Sequence, residues 1–160
     1  IDDRAEHNFE LAKRLVSVVR STRARYRLSP RTNLGVAVRT SSQNVAILED
    51  QRDFISSVGK ISHLTVGEKT TKPSGSVSVV DGDLEIFVAL GGLIDFEAEA
   101  AHLSKELQKA NKELLSTKKT LANAGFMSKA SPEVVQKKRE RSVELEQVIQ
   151  QLNEQLADLR

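Results

Sequence analysis

The sequence predicts an α+β protein in three parts: an N-terminal helix, a small β-α-β-β-β sheet domain, and a long antiparallel two-helix coiled-coil hairpin. Three observations carry that prediction. Apolar residues recur at helical spacing up to about residue 28, and period-two apolar runs with turn signals occupy about residues 33–91. From about residue 94 onward, apolar residues alternate spacings of three and four. Aromatics make up only 4% of the 160 residues and Trp is absent, which favours long helices over a large globular core. The expected boundaries are residues 1–32, 33–92 and 93–160.

The first helix carries Ala5, Phe9, Ala12, Leu15, Val16, Val19 and Ala24 on one face. It stops near Arg27, because Ser29-Pro30 disfavours continuation. One amphipathic helix cannot bury its own stripe, so this one requires a partner. The second part opens with a strand at Leu34–Thr40. A helix capped by Ser42 follows, carrying Val45, Leu48, Phe54, Ile55 and Val58 and ended by Gly59. Ile61–Val66 is the next strand, and strands over residues 77–80 and 84–88 form a hairpin about Asp81-Gly82. Gly91-Gly92 marks a joint.

The third part places Phe96, Ala100, Leu103, Leu107, Ala110, Leu114, Thr117, Leu121 and Ala124 on one seam. Val135, Lys138, Ser142, Leu145, Ile149, Leu152, Leu156 and Leu159 form the other. Residues 125–130 are read as the loop between them, and Ser131-Pro132-Glu133 as the start of the second helix. Folding the seams together sets Leu103 near Leu152, Leu107 near Ile149, Ala110 near Leu145 and Leu114 near Ser142. A parallel homodimer would stack Ala on Ala and Lys138 on Lys138, so an intramolecular, monomeric hairpin is expected.

Composition excludes several functions. Without Cys there is no disulfide, thiolate zinc site or Cys nucleophile. His7, His63 and His102 are isolated, and Asp81-Gly82-Asp83 lacks the rest of a calcium loop. Ser/His/Asp groupings, phosphate loops and dinucleotide fingerprints are missing, so no catalytic or metal residue is expected. No apolar run is long enough for a membrane span, and the charged start lacks signal-peptide features, so a cytoplasmic protein is expected. The chain begins without Met, which suggests a piece of something longer.

The net charge of +2 hides an uneven distribution. No acid occurs from Lys13 to Arg39, and Arg20, Arg23, Arg25, Arg27 and Arg31 lie at the end of the first helix and its exit turn. Guanidinium forks suit phosphate, and Tyr26 among them could stack on a base or ribose. Lys118, Lys119, Lys129, Lys137, Lys138, Arg139 and Arg141 cluster near the hairpin turn, while Asp95, Glu97, Glu99, Glu106, Glu144, Glu146, Glu154 and Asp158 lie toward its base. A basic tip on an acidic stalk is the pattern of a probe for a polyanion. Phe126 in the turn is either a plug or a stacking platform. The alternatives are a coiled-coil module that docks a protein or oligomerises, and the RNA- or ribosome-touching tail of a translational ATPase.

Particular strings point to a family. Val19–Tyr26 (VRSTRARY), followed by Ser29-Pro30 and a strand, resembles the last helix of the anticodon-binding domain in class I synthetases for branched aliphatic amino acids. Gly92–Glu99 (GLIDFEAE) before a coiled coil, Leu121–Phe126 (LANAGF), Lys129-Ala130 and Pro132–Val135 (PEVV) are similar to the valyl-tRNA synthetase family. The resemblance implies a C-terminal region: the end of an anticodon-binding domain, a linker domain and a tRNA-binding arm. It also implies a full-length ligase joining valine to its tRNA with ATP and Mg, with the arm at the tRNA elbow. This region itself would hold no cofactor. Residues 127–131 (MSKAS) only imitate the family's lysine-serine signature, since they lie at a coiled-coil turn without a nucleotide-binding fold.

Overall fold

The computed structural model describes residues 3–159, which divide into two compact units at the Ile94–Asp95 step. In the first unit, α1 (Asp3–Arg25) packs against α2 (Ser42–Asp50), α3 (Arg52–Gly59) and the sheet. Its buried face is Leu11, Ala12, Leu15, Val16, Val19, Thr22 and Arg23. The helix thus finds its partner in the neighbouring sheet layer. The stripe is rotated from the expected one: Ala5 and Ala24 are exposed, Leu11 enters the core, and Phe9 sits at the margin, 5.3 Å from the Phe54 ring. Arg27 takes φ 57, a left-handed conformation that ends the helical path just after α1.

The sheet has strand order β2-β1-β4-β3, with β1 (Leu34–Arg39), β2 (Ile61–Gly67), β3 (Ser76–Asp81) and β4 (Leu84–Ala89). β1 pairs parallel with β2 through the α2–α3 crossover, and antiparallel with β4. β3 and β4 form the expected hairpin, with Asp81 opposite Leu84 and Gly82 at φ 59. Leu34, Val36 and Val38, with Leu84, Ile86 and Val88, alternate onto one buried face. On the opposite face Phe87 is also buried, roofed by the Arg39 guanidinium 5.6 Å from its ring centroid. Arg39 is held there by Glu85 and by the Thr70 carbonyl.

Two helix details differ from expectation. Ser41, not Ser42, caps α2, its hydroxyl accepting from the Asn44 N–H. The single expected helix also breaks at Gln51, with Leu48 buried before the break and Ile55 after it. Gly59 is not the stop residue either: it remains helical and Lys60 takes the left-handed position at φ 54. A Cβ on Gly59 would lie 3.1 Å from Ile61 Cδ1, so close approach explains this glycine better than chain reversal.

In the second unit α4 (Phe96–Ala122) and α6 (Pro132–Asp158) pack as an antiparallel pair. Asp95 caps α4 and Ser131 caps α6, with Pro132 at the first helical turn as expected. The connection is not a loop. α5 (Ala124–Lys129) is a helical turn, capped by the Asn123 side chain accepting from the Phe126 N–H at 2.9 Å.

Candidate nucleic-acid interface

The end of α1 does not present its five arginines as one patch. Arg23 is 3% exposed, and its Nε donates to the Thr32 carbonyl at 2.9 Å while Nη2 donates to the carbonyls of Gly59 and Lys60. Burial, then the neighbouring Arg20 charge, lowers its pKa from the ordinary guanidinium value. The expectation that Arg23 binds RNA from the surface is therefore corrected: it fastens the α1 terminus to the α3–β2 junction. Tyr26 is buried at 6% exposure, so its ring is not offered to a base.

The other cations at this end face two places. Arg20 and Lys60, beside the buried Arg23, line a cleft of about 410 Å³ whose walls are Ala24, Leu28, Pro30 and Val58. The lining contains no carboxylate, and among the described residues Arg20 makes a single, long bond, to the Val58 carbonyl at 3.5 Å. Arg25 lines a separate groove with Arg14, Val79 and Asp81. Arg27 and Arg31 are exposed. Lys60 escapes a reading of the sequence because it is distant in the chain from the arginines it joins.

On the hairpin, cross-helix ion pairs fix the register. Arg141 donates in fork fashion to Glu113, at 2.8 and 3.0 Å, and reaches Glu144 at 3.2 Å. Lys118 pairs with Glu146 at 3.2 Å. Glu113 and Arg141 each precede a seam residue, while Lys118 and Glu146 each follow one. Both pairs form together when Leu114 faces Leu145 and Thr117 faces Ser142. That is about one turn away from the expected pairing of Leu114 with Ser142. In this register Leu103, Ala110, Thr117 and Leu145 are the buried seam residues, and Lys138 faces Leu121.

The basic residues predicted at the tip accordingly fall into two groups. Lys118 and Arg141 are engaged by carboxylates. The Glu113 carboxyl is held below its ordinary range by the Arg141 hydrogen bonds. Lys138 lies half-exposed over the Phe126 ring, 5.9 Å from its centroid. Phe126 is half-buried beneath it, the position of a plug at the hairpin turn. Lys119, Lys129, Lys137 and Arg139 are exposed. Among the described residues no cluster of His, Asp or Glu is arranged to hold a metal ion, and no helix is long and apolar enough to cross a membrane.

Comparison with known proteins adds a second, independent line. Residues 95–160 match the family described as Valyl tRNA synthetase tRNA binding arm. The chain is 40% identical over 161 residues to the valine–tRNA ligase of Symbiobacterium thermophilum, covering 99% of the chain and 18% of that protein. It is 40% identical over 142 residues to that of Nitratidesulfovibrio vulgaris, covering 88% of the chain and 16% of the relative. It is also 32% identical over 157 residues to that of Fusobacterium nucleatum, covering 98% and 18% respectively. The chain thus spans less than a fifth of the length of these relatives.

Proposed function

We propose that this chain holds tRNA for a valine–tRNA ligase, as the C-terminal region of such an enzyme: residues 95–160 match the valyl tRNA synthetase tRNA binding arm family, and almost the whole chain aligns with valine–tRNA ligases. The α4–α6 hairpin supplies the contact, touching the outer corner of the folded tRNA through its phosphate backbone. Arg20, with Arg25, Arg27 and Arg31, adds contacts near the end of α1. These contacts orient the RNA by charge and shape rather than by base identity.

The rest of the reading concerns the whole protein. It attaches valine to its tRNA using ATP and Mg in a catalytic body outside this chain, in the cytoplasm. α1 ends an anticodon-binding helical domain, residues 33–92 form a linker domain, and residues 93–160 form the arm. The protein works as a monomer, since the hairpin seam closes within one chain.

The observation that carries the proposal is the closed hairpin coinciding with the matched arm: Leu103, Ala110 and Leu145 are buried within it. Burial of these residues within one chain uses the seam that a homodimer would need, which supports the monomeric reading. The test is fluorescence anisotropy of labelled tRNA against the 160-residue chain across roughly 50 to 200 mM salt. The expected result is binding at low salt that falls steeply as salt rises. Absence of binding at the lowest salt overturns the proposal.

A further inference from the structure

The seam dictates which residues of α4 point away from α6. With Leu103, Leu107, Ala110, Leu114 and Thr117 inward, the outward stripe is Ala98, His102, Lys105, Lys109, Lys112, Ser116, Lys119 and Asn123. Every one of them is exposed, and none is a carboxylate. The matching outward stripe of α6 is Glu133, Lys137, Glu140, Glu144, Gln147, Gln151, Glu154 and Asp158. Residues 95–160 carry equal numbers of cations and carboxylates, yet those on the outward stripes are sorted onto opposite flanks.

We propose that the outward flank of α4, along Lys105, Lys109, Lys112 and Lys119, is the surface on which the RNA backbone runs. This deepens the tRNA-binding reading and rests on it, narrowing the contact from the hairpin as a whole to one flank of α4. Lys105 and Lys119 are separated by about 21 Å along the axis at ~1.5 Å per residue, room for several phosphates. The outer faces of two packed helices lie roughly 20 Å apart. A screening length of about 8 Å at physiological salt keeps the acidic α6 flank from cancelling this field.

The local alternative, a helix surface laced with ion pairs, is not what the side chains do. Glu113 lies four residues beyond Lys109, but its carboxylate is taken by Arg141 from the other helix. Among the described residues, the four stripe lysines make no hydrogen bond or ion pair. A large apolar residue beside the stripe, Leu115 next to Lys112 and Lys119, is exposed, but a lone leucine falls short of the clustered anchors at the centre of a protein interface. A polyanionic backbone needs only spaced positive charge.

The experiment compares three forms of the 160-residue chain by anisotropy with tRNA over a salt series. They are the wild type, a stripe variant (Lys105→Gln, Lys109→Gln, Lys112→Gln, Lys119→Gln) and a flank control (Glu140→Gln, Glu144→Gln, Glu154→Gln). All substituted positions are exposed, and circular-dichroism melting checks that each form is folded. The expected result is a loss on the order of 100-fold for the stripe variant at low salt. Its salt slope should become shallower by about 0.7–0.9 for each phosphate that the variant no longer neutralises. The flank control should bind as wild type or tighter. A wild type that binds while the stripe variant keeps the same affinity and slope overturns this inference alone. A wild type that does not bind tRNA overturns the tRNA-binding reading, and the inference with it.

Discussion

Arg23 shows how one side chain can look like a ligand-binding group and be a structural one. Its guanidinium is buried with no carboxylate partner among the described residues, and carbonyl dipoles of Thr32, Gly59 and Lys60 solvate it instead. Those carbonyls belong to the exit turn and to the α3–β2 junction, so the side chain ties three chain segments together. Removing it leaves several buried acceptors unpaired, each costing roughly 1–3 kcal/mol. Arg23→Met should therefore lower unfolding stability by about 2–4 kcal/mol in urea titration. A change below about 0.5 kcal/mol would contradict this role. Nothing local reveals it: an arginine in an acid-free run looks like its neighbours, and the carbonyls that hold it lie up to 37 residues away.

At the scale of elements, the hairpin is legible in the sequence where its physics is local. Heptad spacing predicts the two helices because the seam repeats within each chain segment, and the Ser131-Pro132 start is read from cap chemistry alone. Register is not legible, because an apolar seam repeats about every turn and several alignments bury it. The charges beside the seam decide among them, through Glu113–Arg141 and Lys118–Glu146. In that register Lys138 faces Leu121, a charged residue at an apolar position. Lys138→Leu should raise the arm's stability by about 1 kcal/mol, read as a higher melting temperature with the chain still monomeric by light scattering. A lower melting temperature would show that the ammonium over Phe126 matters more than seam burial. The α5 turn is hidden for a related reason: Gly125 signals a loop, while the Asn123 cap that makes the segment helical is a subtler mark.

For the whole molecule, charge placement matters more than net charge. Sequence order exposes charge only along the chain, so a lengthwise gradient from basic tip to acidic base is the visible pattern. Folding adds a second gradient, across the hairpin from the α4 flank to the α6 flank, that becomes visible only once the seam assigns each residue a direction. The sheet unit is readable from period-two runs and the Asp81-Gly82 hairpin. Its β2-β1-β4-β3 order is not, because strand adjacency depends on which edges meet in space. The most direct measurement is site-specific photocrosslinking, with a photoreactive residue placed at Lys112 or at Gln147, both exposed but on opposite flanks. An RNA backbone lying along the α4 flank gives a tRNA adduct from position 112 and none from position 147. Equal adducts from both, or an adduct from 147 alone, would contradict that placement.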